Sequence, residues 1–391
     1  MVNKDAFSLG TKRSCIRELF EYGRARASVV GPENVYDFSL GNPSIPAPTE
    51  VNETICALLQ DTDPLALHGY TSAIGDLTAR QAIADDLNIR YAASVKAEDL
   101  FITCGAAPGL CAVFGALSVP DGEIVAIAPY FPEYRPFTES AGLRFRFIAP
   151  DIPDFQIRLD VLENAITAHT QAVIVNSPNN PAGTVYSRET LTALGALLTR
   201  KSREFGHPIY IVSDEPYREL VYDGAEVPFL PTIYKNTVVC YSYSKSLSLP
   251  GERIGYVYVP QQADDAPALL SAIAGAARRM GHVCAPSLWQ KVIARCARLR
   301  PDLNSYNKNR RTLYDGLVKA GYRVAQPDGA FYLFVEAPGG DAKLFSEKAK
   351  EKDLLIVPGD DFGCPGYFRL CYCVSHDQIL RSLPLFAELN K

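Results

Sequence analysis

The sequence predicts an α/β protein with a mostly parallel sheet and a smaller second α/β domain. Short apolar segments alternate with helical patterns through the middle of the chain, and this alternation ends near Pro286. Each segment is continuously apolar, which is typical of strands buried on both faces of a parallel sheet. The predicted strands are Ile124–Ala128, Ala172–Asn176, Ile209–Asp214, Thr237–Tyr241 and Ile254–Val259.

The elements before and between these strands are predicted from caps, prolines and charge. A helix is expected over Ile16–Arg26, and the prolines of the following YDFSLGNPSIPAP segment predict an extended strap. The stretch from Leu100 to Pro120 carries no charge, and its glycines and prolines divide it into a strand, a turn and a buried helix. Ser187 is the predicted N-cap of a helix whose inner face carries leucines three and four residues apart.

The pattern after residue 286 predicts the smaller domain. A helical stretch comes first, and a closing helix is expected near His376–Leu389. The strands predicted between them are Tyr322–Val324, Phe331–Val335, Leu354–Val357 and Tyr367–Cys373.

Composition excludes several classes of protein. The chain has 391 residues and a net charge of −5 without a basic tail, which argues against nucleic-acid binding. We find no secretory signal, and the uncharged stretch from residue 100 is too interrupted to span a membrane. The ten cysteines and five histidines show no zinc-ligand spacing. A cytoplasmic protein with reduced thiols and no metal is therefore expected.

The clearest chemical signal is Lys245, which ends the run Tyr-Ser-Tyr-Ser-Lys just after a predicted buried strand. Burying an unpaired ammonium is costly, so such a lysine is either paired or has a lowered pKa and acts as a nucleophile. Ser242, Ser244 and Arg253 flank it, and hydroxyls with a fixed cation suggest a phosphate held beside an imine. An exposed lysine in a serine-rich turn is the alternative for this segment taken alone.

Three further turns follow predicted strands. Asp214 ends one strand at the edge where open α/β sheets bind ligands, and Tyr217 lies three residues later. Asn180 lies in a turn made rigid by two prolines and a glycine. The segment Gly105-Ala-Ala-Pro leads into a helix whose first amides can bind an anion. Each turn taken singly fits a cap, a packing contact or an ordinary loop equally well.

Taken together, these segments resemble the fold-type-I, pyridoxal-phosphate-dependent class I/II aminotransferases of the aspartate aminotransferase superfamily. The resemblance covers nearly the whole chain. The motifs that carry it are Gly105-Ala-Ala, Pro129-Tyr-Phe-Pro, Asn180-Pro-Ala-Gly, Asp214-Glu-Pro-Tyr217, Ser242-Tyr-Ser-Lys245, Arg253, Ser14-Cys-Ile-Arg17, Ser39-Leu-Gly-Asn-Pro43, His68-Gly-Tyr70, Gly329-Ala-Phe-Tyr332, Val357-Pro-Gly359 and Gly366-Tyr-Phe-Arg369.

This resemblance implies a particular organisation of the chain. Residues 46–285 would form a large cofactor-binding domain around a seven-stranded sheet covered by helices. Residues 286–391 would form the small domain, which residues 1–45 would join, so that both termini contribute to it. The implied assembly is a homodimer with shared active sites.

The resemblance also implies pyridoxal 5′-phosphate as the cofactor, bound to Lys245 as an internal aldimine. Lys245 would then move a proton through quinonoid and pyridoxamine intermediates, while Asp214 keeps the pyridine nitrogen protonated. Tyr217 and Asn180 would hydrogen-bond the phenolic oxygen, and Phe131 would stack on the ring. The implied phosphate ligands are Ser242, Ser244, Arg253, the turn at Gly105 with the amides of Ala106 and Ala107, and Tyr70 of the partner subunit.

The substrates implied are an L-amino acid and a 2-oxo acid. Arg369 would bind the α-carboxylate, with Asn180 and Gly41 beside it. The side-chain pocket stays open: Arg13, Arg26 and Arg135 are candidates for a second arginine by residue type, while Tyr36, Ile45, His68 and Phe331 are either pocket or packing residues.

Aminotransferase is the predicted activity. A pyridoxal-phosphate carbon–sulfur lyase resembling cystathionine β-lyase is the alternative, because it would use the same Lys245 and Asp214. A non-catalytic regulator on this fold is also considered, but 45 residues before the large domain leave no room for a DNA-binding module. Neither nucleic acid nor membrane is expected as a partner.

Overall fold

The computed structural model describes residues 2–11 and 14–391. The helices are α1 Lys4–Thr11, α2 Cys15–Val30, α3 Thr49–Asp61, α4 Pro64–His68, α5 Leu77–Tyr91, α6 Ala106–Ala116, α7 Tyr134–Ser140, α8 Leu159–Ala165, α9 Arg188–Phe205, α10 Tyr243–Ser246, α11 Ala266–Arg279, α12 Ser287–Cys296, α13 Leu303–Lys319, α14 Ala342–Lys350 and α15 His376–Leu389. The strands are β1 Tyr36–Asp37, β2 Leu100–Thr103, β3 Glu123–Ile127, β4 Arg144–Ile148, β5 Thr170–Asn176, β6 Tyr210–Asp214, β7 Thr237–Ser242, β8 Gly255–Tyr258, β9 Tyr332–Glu336, β10 Leu354–Leu355, β11 Val357–Pro358 and β12 Tyr367–Cys371.

A seven-stranded sheet forms the centre of the molecule. Its strand order is β2-β8-β7-β6-β5-β3-β4, and the pairs from β7 through β4 are parallel. β8 is antiparallel to both of its neighbours, so this strand departs from the parallel arrangement predicted for it. The α/β class with a mostly parallel sheet is confirmed.

Helices cover both faces of this sheet because its strands are apolar on both sides. Along β3, Ile124 and Ala126 pack with α6 and α11, whereas Val125 and Ile127 pack with α8 and α9 on the other face. This alternation is the two-residue period of a strand. Ser187 accepts a hydrogen bond from the backbone of Thr190 and caps α9, as the sequence predicts.

The second unit combines both ends of the chain. β1 pairs in parallel with β10, while β11, β12 and β9 form an antiparallel sheet with β12 in the middle. The strap after β1 contains no further strand and is anchored by Phe38, which is fully buried in the core cluster of this unit. The strap thus runs between the second unit and the large sheet.

Several predicted elements differ from those observed. Tyr322–Val324 is not a strand, since only Val324 forms an isolated bridge with Val335. The predicted strand Leu354–Val357 is two short strands, which belong to different sheets. β4 was not predicted, because arginines at its exposed positions interrupt the apolar pattern. α2 extends to Val30, beyond its predicted end at Arg26, and α1 was not predicted.

The boundary at residue 286 stays a prediction. Val292 and Ile293 of α12 are buried in the same core cluster as residues of α5 and the large sheet. α13 instead packs against α15 in the second unit. Within the described residues, no helix is both long and apolar enough to cross a bilayer.

Candidate active site

A cavity of about 280 Å³ lies where the carboxyl ends of the central strands meet the strap and the second unit. It lies at the edge of the sheet where open α/β folds bind ligands. Its lining includes every predicted site residue except Gly105 and Tyr70, namely Gly41, Ala106, Ala107, Phe131, Asn180, Asp214, Tyr217, Ser242, Ser244, Lys245, Arg253 and Arg369.

Lys245 enters this cavity from α10, a single helical turn that begins directly after β7. Ser242 caps that turn by accepting a hydrogen bond from the Ser244 amide. The Lys245 Nζ donates to the carbonyl oxygen of Gly41 at 2.7 Å and lies 5.5 Å from the centre of the Phe331 ring. Burial lowers the pKa of the Lys245 ammonium, and this favours the neutral amine that a nucleophile or base requires.

Asp214 ends β6 with its carboxylate fully buried in the cavity wall. The Tyr134 hydroxyl donates to Asp214 Oδ2 at 2.6 Å, while Oδ1 is buried and has no hydrogen-bond partner among the described residues. Burial raises the pKa of Asp214 to about 7, and the bond from Tyr134 opposes that rise. A buried carboxylate oxygen without a partner is costly, so this atom is suited to a positively charged or donating group of a ligand.

The opposite part of the cavity is suited to an anion. Arg253 Nη1 donates to Ser244 Oγ at 3.4 Å, and the Ser242 and Ser244 hydroxyls lie 2.7 Å apart. α6 begins here after Gly105, and no side chain caps its first amides. A Cβ at Gly105, whose φ is +93°, would lie 2.8 Å from Arg253 Nη2. Because the arginine side chain could move aside, it is the positive φ that favours glycine in this turn.

Arg369 projects from β12, the central strand of its sheet, and is 2% exposed. Its Nη1 donates to Asn180 Oδ1 at 2.9 Å, its Nη2 donates to the Ser39 carbonyl, and its Nε is buried without a partner. No carboxylate in residues 2–11 and 14–391 forms an ion pair with it. The charge of this buried guanidinium is thus available to a carboxylate in the cavity.

Two tyrosines connect these groups. The hydroxyls of Tyr217 and Tyr332 lie 2.8 Å apart, and the Arg369 guanidinium lies 4.6 Å from the centre of the Tyr332 ring. A Cβ at Gly41 would lie only 2.2 Å from the Tyr332 hydroxyl oxygen. The absence of a side chain at residue 41 therefore makes room for Tyr332.

The remaining sequence candidates lie outside the cavity lining. Tyr70 is 90% exposed, and its side chain does not line the cavity of its own subunit. Arg26 forms an ion pair with Asp353, and Arg135 forms one with Glu139, so neither is a second arginine of this cavity. Arg13 lies outside the described residues.

The pocket-or-packing candidates also lie outside that lining. Phe331 is fully buried in the core of the second unit, and Tyr36 and Ile45 pack against the same core. His68 is exposed in the last turn of α4. All four are therefore absent from the cavity wall.

Two residues that shape the site were not predicted from the sequence. Tyr134 begins α7 three residues after Phe131, and the two rings meet edge to face with centres 5.6 Å apart, so a second aromatic residue at this spacing was a usable signal. Tyr332 lies in the Gly329-Ala-Phe-Tyr332 motif, and the resemblance assigns it no role. Its contact with Tyr217 joins residues far apart in the chain, so no local pattern could have revealed it.

These features fit one cofactor. Pyridoxal phosphate has an aldehyde that reacts with a lysine, a ring nitrogen that carries a proton, and a phosphate. The cavity offers Lys245 with a lowered pKa, a partnerless Asp214 oxygen, and an anion site around Arg253. The fold and the site therefore define a pyridoxal-phosphate enzyme of the class that binds its cofactor on an open α/β sheet.

Comparison with known proteins gives the family. The model for aminotransferase class I and II matches residues 33–383, and the chain belongs to this family. It is 29% identical over 365 residues to an aspartate aminotransferase of Thermotoga maritima, with 92% of both proteins covered. It is 28% identical over 357 residues to an aspartate/prephenate aminotransferase of Thermus thermophilus, with 89% of both covered.

A crystal structure of an aminotransferase from Eubacterium rectale has the same fold. It is 55% identical to this chain with a TM-score of 0.98, and the match covers 100% of this chain and 98% of the other. The predicted family, cofactor and transaminase activity are confirmed. The carbon–sulfur lyase alternative is not favoured, because the matching family and these relatives are aminotransferases.

Proposed function

We propose that this aminotransferase moves the amino group of an L-amino acid to a 2-oxo acid in the cavity that contains Lys245, Asp214 and Arg369. The observation that carries this proposal is the buried, partnerless Asp214 Oδ1, which lines the same cavity as Lys245 with its lowered pKa. Bound pyridoxal phosphate supplies an electron-withdrawing ring that stabilises negative charge at the substrate Cα.

The residues proposed to hold the cofactor fall into two groups. Asp214 would pair with the ring nitrogen and keep it protonated, Phe131 would stack on the ring, and Tyr217 and Asn180 would hydrogen-bond the phenolic oxygen. The phosphate would be held by Ser242, Ser244, Arg253, the turn at Gly105 and the backbone amides of Ala106 and Ala107. The exposed first amides of α6 support this assignment, since helix N-termini attract anions.

Arg369 is proposed to bind the substrate α-carboxylate. Its guanidinium is fixed by Asn180 and Ser39 and has no carboxylate partner among the described residues. A planar, prealigned guanidinium can bind a carboxylate through two parallel hydrogen bonds, and this orients the substrate Cα toward Lys245. The neutral Lys245 amine then accepts the Cα proton, and its buried position excludes water from that transfer.

Lys245 as the attachment point is tested by borohydride reduction of the holoprotein, which fixes a lysine-bound pyridoxyl group. Digestion and mass spectrometry are expected to locate the added mass on the peptide containing Lys245. The matched control is Lys245→Arg, which retains a cation but is expected to show no labelled peptide. Label on another lysine of the wild-type protein would contradict the assignment.

We also propose a homodimer in which Tyr70 of the partner subunit reaches the phosphate. Tyr70, Leu65 and Val283 are exposed apolar side chains. Hydrogen bonds from Gln290 to Thr71 and from Ser287 to the Leu67 carbonyl bring their segments together. Exposed apolar surface of this kind is typical of protein interfaces.

Subunit mixing tests this shared site. Lys245→Ala and Tyr70→Ala homodimers are both expected to be impaired, but a mixed dimer would contain one site with both native residues. A mixed dimer is therefore expected to have about half of the wild-type activity, and a random 1:1 mixture, in which about half of the dimers are mixed, is expected to have about a quarter. If Tyr70 acted within its own subunit, or if the protein were an active monomer in sedimentation, mixing would restore nothing.

The cellular role is proposed more broadly. The ten cysteines are free thiols, which supports a reducing compartment, and we place the protein in the cytoplasm in amino acid metabolism and biosynthesis. Relatives named as aspartate aminotransferases make aspartate the first donor to test.

A further inference from the structure

The hydroxyls of Tyr217 and Tyr332 form a buried pair whose proton direction matters. Their oxygens lie 2.8 Å apart, and either could be the donor. A phenol has one proton to donate. If Tyr217 donates to Tyr332, it has no proton left for a ligand in the cavity. If Tyr332 donates instead, the Tyr217 proton is free to point into the cavity that both residues line.

Hydrogen bonds to other protein groups do not choose between the two directions. Within the described part of the chain, the Tyr332 hydroxyl makes no side-chain hydrogen bond except the one with Tyr217, and it packs against Gly41. The Gly41 carbonyl is already used by Lys245. The Tyr217 hydroxyl likewise has no second partner among these residues, so whichever phenol accepts must direct its own proton into the cavity, where an unsatisfied donor is costly.

The charges around the pair favour Tyr332 as the donor. The Arg369 guanidinium lies over the Tyr332 ring and stabilises negative charge on a phenol that shares its proton. The other titratable groups facing the pair are Asp214 on β6 and Cys371 on β12. Arg369 is the cation nearest to the Tyr332 ring, and it favours Tyr332 as the donor.

We propose that Tyr332 is a positioning residue that donates its hydroxyl hydrogen to Tyr217 and so directs the Tyr217 proton into the cavity. This inference rests on the proposed function, in which Tyr217 hydrogen-bonds the phenolic oxygen of the cofactor. A phenol that accepts a hydrogen bond is itself a stronger donor. Tyr332 therefore strengthens the bond that Tyr217 makes and lowers the pH at which the bound cofactor loses its proton.

The test is a pH titration of the visible absorbance of the holoprotein, with wild type compared to Tyr332→Phe between about pH 5 and pH 10. We expect the apparent pKa of the absorbance change to rise by roughly half to one unit, because one hydrogen bond that stabilises the deprotonated form is weakened. If Tyr217 donates to Tyr332, the same variant frees the Tyr217 proton and lowers the apparent pKa. A fall or no change would overturn the inference.

A second substitution keeps the shape of the ring. 3-Fluorotyrosine at position 332 is a more acidic phenol and a stronger donor, so the apparent pKa is expected to fall. An unchanged or raised value would contradict the proposed direction even if Tyr332→Phe did not fold.

Two further variants separate positioning from general loosening. Tyr332→Phe is expected to add no shift in a Tyr217→Phe background, because its effect passes through Tyr217. Tyr222→Phe removes another buried hydroxyl of the same core, which donates to the Ala330 carbonyl at 2.8 Å, and is expected to leave the apparent pKa unchanged. Wild-type protein without a cofactor band would refute the proposed function, whereas a normal band with no Tyr332 effect would refute this inference alone.

Discussion

Replacing Asp214 by asparagine tests the electrostatic part of the proposed mechanism. The substitution keeps the size of the side chain and an oxygen that can accept from Tyr134, whose hydroxyl now lies 2.6 Å from Oδ2. It removes the charge and places an amide where the partnerless Oδ1 faces the cavity. The fold should therefore persist while the interaction with a protonated ring nitrogen is lost.

The magnitude follows from the burial of the carboxylate. Two unit charges about 4 Å apart at an effective dielectric of about 20 attract by about 4 kcal/mol. Since about 1.4 kcal/mol is a factor of ten in rate, the expected loss in kcat/KM is about 10²- to 10³-fold. Tyr134→Phe keeps the charge and removes one hydrogen bond, so its loss should be about tenfold.

The assay is the rate of the half-reaction between holoprotein and an amino donor under single-turnover conditions, with circular dichroism and cofactor content measured in parallel. Asp214→Asn should retain native secondary structure and react far more slowly than Tyr134→Phe. If Asp214→Asn reacted within a few-fold of wild type while fully loaded with cofactor, the proposed role of the charge would be refuted.

Three other perturbations test the remaining groups. Arg369→Ala is expected to raise the KM for the amino donor and to lower kcat/KM by about 10²-fold or more. Arg369→Lys should be intermediate because it keeps the charge without the paired hydrogen-bond geometry. An unchanged KM would remove Arg369 from the substrate site. Gly41→Ala places a Cβ 2.2 Å from the Tyr332 hydroxyl and should cost about 1–3 kcal/mol in the free energy of unfolding, measured by urea denaturation; full stability would show that the strap adjusts freely. In cofactor-free protein the pKa of Asp214 is raised to about 7, so its contribution to stability is complete below about pH 4 and is lost as pH rises through 7. Asp214→Asn should lack that decline in the free energy of unfolding. Equal slopes of unfolding free energy against pH for the two proteins would contradict the pKa shift.

The central strands could be predicted because each is a continuous apolar run between turn residues. β4 could not, since Phe145 is buried while Arg144 and Arg146 are exposed at the edge of the sheet. A local pattern also could not predict that the segment beginning at Leu354 divides into two strands of different sheets. Its first half pairs with β1 and its second half with β12, and only distant partners decide such pairing.

The site shows the same division between local and distant information. Lys245 and Asp214 were predicted from their positions after apolar strands, with roles that the family resemblance supplied. Their hydrogen-bond partners were not predicted, because these come from distant segments. Tyr134 reaches Asp214 from α7, between β3 and β4, and Gly41 reaches Lys245 from the strap. A sequence pattern identifies which residue types follow a strand, but the hydrogen-bond partners of a buried group depend on tertiary packing.

The most direct test of the central claim mixes holoprotein with each of the twenty amino acids in the absence of any 2-oxo acid. The cofactor spectrum, the 2-oxo acid formed and the ammonia released are followed together. Amino transfer by this site predicts that at least one donor converts the spectrum with one equivalent of 2-oxo acid and no ammonia. Accumulation of ammonia and 2-oxo acid beyond one equivalent, or a spectrum that no amino acid changes, would contradict it.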